Sequence, residues 1–349
     1  MSLVGIIANP AASKDIRRLV AQGRVVPDWE KVNIVRRVLL GLQAVGVQRV
    51  VAMPDSSHLV ERARDDSRLS LELALLEMPA HYEDGDTIRA AGLMHDLGVA
   101  CLVTLGGDGT NRAVVRGCAT LPLVAISTGT NNVFPAMVEG TLAGLAAGLL
   151  ARGDLDLERV SIQSKTLTIY VDGEYRDMAL VDVALSRERF VAARAIWDTG
   201  TLYEVFLTRA EPASIGLSSI GAQLQPVSMA EEGGLHYCLA GADDGEPSSP
   251  AGNPGPEGQP GSQPESQMVL APIAPGIVSQ VPVSSWRRLA DGERVSMERR
   301  HCTVALDGER AFTVTPGQHL EVSVERNGPP VVQVEAALHE AASRGLLRV

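Results

Sequence analysis

Lysine is nearly missing from this chain: its 349 residues contain only Lys14, Lys31 and Lys165, and no Gly-x-x-x-x-Gly-Lys-Ser/Thr loop of the Walker type is present. Aromatic residues are scarce as well, at 3%. That leaves a core of Ala, Val, Leu and Ile and little with which to stack nucleic-acid bases. Positive charge is outweighed, and the formal net charge of -11 argues against a nucleic-acid or anionic-membrane partner. The cysteines, Cys101, Cys118, Cys238 and Cys302, show neither a paired framework nor metal-type spacing, which fits buried small hydrophobes in a reduced, cytoplasmic setting. The seven histidines show no ligand spacing either. The opening Met1-Ser2-Leu3-Val4 lacks the basic head of a secretory signal and reads as the start of a first strand. The most apolar helical run, Thr141 to Ala151, falls well short of the ~20 residues that cross a bilayer, and its Gly144 and Gly148 read as close helix packing.

What is present is glycine in a telling place. Val103-Thr104-Leu105-Gly106-Gly107-Asp108-Gly109-Thr110-Asn111 ends a buried strand in a glycine turn and opens a helix. Free N–H groups and the positive dipole end at such a helix start attract anions. Gly106, Gly107 and Gly109 are expected to clear side chains from the path of a nucleotide, with Thr110 and Asn111 at the helix opening. Asp108 would repel phosphate, so it implies a metal ion or a substrate hydroxyl that must lose a proton. The plainer alternative is an Asp chosen for its turn propensity.

Two further turns share this character. Leu123 to Ile126 leads into Ser127-Thr128-Gly129-Thr130-Asn131-Asn132, and Leu3 to Ala8 leads into Asn9-Pro10-Ala11-Ala12-Ser13-Lys14. In an open parallel sheet, ligands sit beyond the carboxyl ends of strands. Thr128, Gly129, Thr130, Asn131, Asn9, Pro10 and Lys14 are therefore candidate phosphate contacts, the alternative for the second turn being an ordinary capped helix start.

The pattern predicts strands over 3–8, 48–53, 100–105 and 123–126, with helices near 31–45, 86–97, 110–117 and 131–151. That is a doubly wound parallel α/β domain over residues 1–150. From 151 to 333 alternating segments such as 167–172, 178–186, 302–306 and 320–324 indicate an antiparallel β-rich domain. It is interrupted at 241–267 by a Gly, Pro, Ser and Gln stretch expected to be disordered. Residues 334–349 read as a C-terminal helix that packs back on the first domain.

Gly106-Gly107-Asp108-Gly109-Thr110, the Asn9-Pro10 turn and the late Asp307-Gly308-Glu309 resemble the superfamily joining NAD kinases to diacylglycerol and sphingosine kinases. More narrowly, residues 7–10, 14–19, 127–135 and Ala271-Pro272-Ile273-Ala274-Pro275-Gly276 look like the ATP-NAD kinase-like branch that includes acetoin catabolism protein X. The resemblance implies an NAD kinase-like fold with a sandwich-like second domain. It also implies ATP and Mg²⁺ as cofactors, Asp108 as base or metal organiser, and a homo-oligomer. NAD is the implied acceptor, but the Asn-acidic pair of NAD kinases falls on Val181 and Asp182, so only the acid remains, and Ser13 stands where the branch usually has Gly. Asp307 and Glu309 match an active-site Asp-Gly-Glu of lipid kinases, while the residues alone equally suit a hairpin turn. A lipid or polyol kinase and a non-catalytic nucleotide sensor are the competing readings.

Overall fold

The computed structural model describes residues 2–12, 14, 21–188, 198–240, 267–297 and 300–348. The first half alternates strand and helix: β1 (Leu3–Ala8), α1 (Asp28–Ala44), β2 (Arg49–Ala52), α2 (Leu59–Arg64), β3 (Glu72–Leu75), α3 (Asp84–Asp96), β4 (Cys101–Gly106), α4 (Asp108–Gly117), β5 (Leu123–Ser127) and α5 (Gly140–Ala151), of which α2 and β3 have no counterpart among the predicted elements. α1 opens with Asp28 and Glu30, favourable at a helix N-terminus, and buries Val32, Val35, Val38, Leu39 and Leu42 along one stripe. β1 and β4 are buried along nearly their whole length, as strands covered on both faces must be.

The second half contains α6 (Leu157–Val160), β6 (Ser161–Gln163), β7 (Thr166–Val171), β8 (Glu174–Ala179), β9 (Asp182–Ser186), β10 (Leu202–Leu207), α7 (Leu217–Leu224), β11 (Gly234–Leu239), β12 (Gln267–Ala274), β13 (Ile277–Leu289), β14 (Arg294–Ser296), β15 (Cys302–Leu306), β16 (Glu309–Val314), β17 (Leu320–Glu325), β18 (Pro330–Val332) and α8 (Val334–Ser343). The predicted disordered stretch lies outside the described residues apart from Gln267, which opens β12.

The first sheet has the order β3-β2-β1-β4-β5-β18-β6, with β1 to β5 all parallel. Strand order reverses between β1 and β4, so the crevice beyond their carboxyl ends is the switch point where open sheets bind ligands. β18 joins parallel to β5 and β6 antiparallel to β18, so this sheet draws two short strands from beyond residue 150. α8 follows and buries Ala337 and Ala341 in the first domain's core.

The second domain is a sandwich. Antiparallel sheets β12-β13-β11-β10-β9-β15-β16 and β14-β17-β7-β8 enclose Leu167, Ile169, Val183, Leu185, Phe206, Val304, Val322 and Val324. The outer face of the larger sheet is covered by α7 through Leu217 and Ile220. Met178 from the end of β8 and Leu180 and Val181 from the β8–β9 turn insert into the first domain's cluster with Ile7, Leu123 and Phe134, so the two domains share a core.

One helix differs from expectation. The segment predicted as 131–151 is helical only from Gly140; Asn131 to Glu139 runs as a loop that bridges back to Ile126 through Ala136. Pro135 cannot donate to a helical ladder and drives the residue before it away from helical angles, and the loop's N–H groups are used elsewhere.

Candidate active site

β4 ends at Gly106 and α4 begins at Asp108, so Gly107 alone makes the turn. Asp108 thus sits in the first helical turn, where the dipole favours a carboxylate. Its Oδ1 accepts N–H bonds from Val133 at 3.1 Å and Phe134 at 2.8 Å, and Oδ2 accepts from Val133 at 3.1 Å. The loop that replaces the expected helix start is therefore what clamps this carboxylate. Asn111 is fully buried; its Oδ1 accepts from Thr104 Oγ1 at 2.7 Å and its Nδ2 donates to the Gly107 carbonyl at 2.9 Å. It braces the turn from inside.

The glycines serve two different needs. A Cβ at Gly106 would collide with the Thr110 side chain, and one at Gly107 would lie 2.8 Å from the Asn132 amide. At those two positions an added side chain would meet the protein itself. Only Gly109 faces open space. Gly129 likewise abuts the Asn132 amide, whose oxygen can accept from Ser127 Oγ and from the Gly129 N–H.

Asn9 ties the turn after β1 to the start of α4: its Nδ2 donates to Thr110 Oγ1 at 2.8 Å and its Oδ1 accepts from Ala11 N–H at 2.8 Å. Lys31, fully buried on α1, donates to the carbonyls of Asn9, Pro10 and Ala12 at 3.2, 2.8 and 2.9 Å. Burial lowers its pKa to about 8, with Asp28 opposing that shift. Lys14, the expected phosphate contact, pairs with Asp28 at 3.3 Å.

From the second domain come two more acids. Asp307 and Gly308 both have positive φ, 51° and 73°, as a tight two-residue hairpin between β15 and β16 requires. The hairpin reading of this segment therefore holds. The Asp307 carboxylate accepts from the N–H groups of Leu180 at 2.9 Å and Val181 at 2.7 Å, and Gly308 N–H donates to Asp182 Oδ1 at 3.0 Å. Asp108, Asp182, Asp307, Asn131, Gly216 and Ile273 line one cleft between the domains, of about 490 Å³ counted out to open solvent. Glu309 opens β16 and is not among the residues lining this cleft.

Burial, reinforced by the negative charge of Asp307, pushes the Asp108 carboxyl up to about 7 against its backbone N–H bonds and the charge of Arg209. Burial also raises Asp307, although Arg112 lies 3.8 Å away and opposes it. Arg209 is buried over the Phe134 ring, 5.2 Å from its centre; burial lowers its pKa while Asp108 acts to hold its charge. Sequence reasoning passed over Arg112, Arg209 and Lys31. Arg112 stands one helical turn after Asp108, and Lys31 is one of only three lysines, set on an apolar helix face; Arg209 offers no such signal.

Thr128 Oγ1, Thr130 Oγ1, Asn131 Oδ1 and Arg112 Nη1 are buried without a hydrogen-bond partner among the described residues. Each such unmade bond costs about 1–3 kcal/mol, so the three in the loop after β5 fit a polar ligand. Hydroxyl and guanidinium donors suit phosphate oxygens, and carboxylates suit a hard divalent cation. A nucleotide with a metal ion is thus compatible with the residues present.

Residues 4–154 match the family model of the ATP-NAD kinase N-terminal domain, and residues 165–327 that of the acetoin catabolism protein X C-terminal domain. Acetoin catabolism protein X of Cupriavidus necator (strain H16) is 40% identical over 358 residues, spanning 99% of this chain and 94% of that protein. Two solved chains described as a diacylglycerol kinase candidate from Bacillus anthracis str. Sterne cover 95% of this chain, at 12% and 13% identity and TM-scores of 0.47 and 0.42, and at that level carry no argument about function. The alternating parallel domain, the sandwich behind it and a relative matched along almost its whole length lead to one conclusion: the chain belongs to the acetoin catabolism protein X family, with an N-terminal domain of the ATP-NAD kinase type.

Proposed function

We propose that this protein is an ATP-dependent phosphotransferase that phosphorylates a hydroxyl group on a small molecule, NAD being the first acceptor to test, and that it serves acetoin catabolism as its relative's name indicates. The observation that carries the reading is the Asp108 carboxylate, held by two backbone N–H groups in a cleft between domains and titrating near neutrality. A base poised near the working pH is the efficient one for removing a hydroxyl proton. Bound ATP with Mg²⁺ would supply the phosphoryl group and neutralise its charge. Thr128, Thr130 and Arg112 would hold phosphate oxygens through their unused donors, the Gly109 opening would admit them, and Asp182 and Asp307 would orient the acceptor or the cation.

The experiment is incubation of the purified protein with γ-labelled ATP, Mg²⁺ and a panel of hydroxyl-bearing metabolites that includes NAD. Transfer of label to an acceptor, lost in Asp108→Asn, is expected. No transfer together with undiminished nucleotide binding by Asp108→Asn would instead favour a nucleotide sensor. One observation keeps acceptors other than NAD in view: Val181, where NAD kinases carry a substrate-contacting Asn, is fully buried in the shared core.

A further inference from the structure

On the large sheet of the second domain, three side chains with metal-binding atoms converge away from the cleft. β10 and β11 are antiparallel neighbours, with Glu204 opposite Cys238 and Phe206 opposite His236. His236 and Cys238 are two apart on one strand, so they share a face, and the register brings Glu204 to the same place. His236 Nε2 lies 2.8 Å from Glu204 Oε1 and 3.8 Å from Cys238 Sγ, and the three ligand atoms are all within 4.8 Å of one another. The Phe206 ring stacks on the imidazole at 4.4 Å and 12°, fixing its plane. The His236 and Glu204 side chains are only 12% and 15% exposed. None of the three lines the cleft between the domains.

We propose that Glu204, His236 and Cys238 form a binding site for a zinc-class divalent cation, with three protein ligands and a fourth position open to water. Both the carboxylate and the thiol address one ring nitrogen. Tetrahedral zinc, with bonds of about 2.0–2.3 Å, places its ligand atoms about 3.3–3.6 Å apart, so small side-chain shifts close this set on an ion. A thiolate and an imidazole beside a carboxylate select zinc over magnesium, which takes oxygen ligands. As the sulfur–metal bond forms, the thiol proton passes to solvent. The sequence hides this set because Glu204 lies on a different strand and His236-Tyr237-Cys238 follows the two-residue period of a strand, unlike the spacings of zinc loops.

The test uses the full chain, reduced and stripped with a chelator, then titrated with Co²⁺ and followed by absorption. One equivalent should produce visible d–d bands and a near-ultraviolet thiolate-to-cobalt band, both abolished by one equivalent of Zn²⁺. Cys238→Ser should lose the thiolate band, and zinc affinity, read by competition with a chromophoric chelator, should fall at least about 10-fold. His236→Ala should lose stoichiometric binding. Absence of the thiolate band in the parent protein, or its persistence in Cys238→Ser, would overturn the proposal. Co²⁺ held only by the acids of the cleft would give d–d bands without a thiolate band, and that result also counts against it.

Discussion

Asp108 is held where its charge is costly. Its folded carboxyl titrates at about 7 against an ordinary value of 3.8. Between those values the folded state keeps a proton that the unfolded chain has lost, so stability falls as pH rises, and the full penalty is present above 7. Asparagine can still accept both N–H bonds through Oδ1, losing only the second Val133 bond to Oδ2, and carries no charge. Asp108→Asn should therefore melt about 2–4 °C above the parent at pH 8, the shift that about 1 kcal/mol produces in a domain of this size, and closer to the parent near pH 4. Turnover should drop by roughly 10² to 10⁴, and the parent's kcat/KM should climb with pH up to about 7, a limb the variant lacks. The glycines separate in the same way. Gly109→Ala meets open space and should fold normally with weakened nucleotide binding, whereas Gly107→Ala pushes on the Asn132 amide and should lower both stability and binding. Melting curves with and without ATP would tell these apart.

At the level of elements, α1 and α5 cross with their backbones almost touching. A Cβ at Gly41 would lie 2.5 Å from the Thr141 carbonyl, one at Gly140 would lie 2.7 Å from the Ile34 carbonyl, and one at Gly144 would run into the Val38 carbonyl. The glycine spacing read from the sequence as helix packing is realised, with an internal partner helix. Gly144→Ala should cost about 1–3 kcal/mol, seen as a lower urea midpoint at unchanged slope. Lys31 is the tether from this helix pair to the site. Lys31→Met would leave three carbonyls without their donor, and a nucleotide KM raised several-fold beside lowered stability is the expected result. Most of the strand and helix order in the first domain was legible because apolar runs and glycine turns are local signals; α2 and β3, six and four residues long, carry too little pattern. The false helix start at Asn131 was not, because the clamp on Asp108 that holds this loop is a contact between distant residues.

Over the whole molecule, the cleft exists because the β8–β9 turn is sunk into the first domain while the β15–β16 hairpin stands over α4. Val181 belongs to that joint. Val181→Asn, which restores the amide of NAD kinases, should therefore destabilise the protein by about 1–3 kcal/mol by burying an unpaired amide, and should leave the KM for NAD no better; melts and steady-state rates check both. The amino-acid order alone determined the alternating domain, the sheet-rich one behind it, the acid in the glycine turn and the family likeness, since these rest on periodicity and short motifs that act within a few residues. Only the tertiary structure decided that Asp108, Asp182 and Asp307 meet, that Arg112 and Arg209 attend them and that Val181 does not. Strand topology and side-chain direction bring such groups together across the chain, and burial then sets their charge.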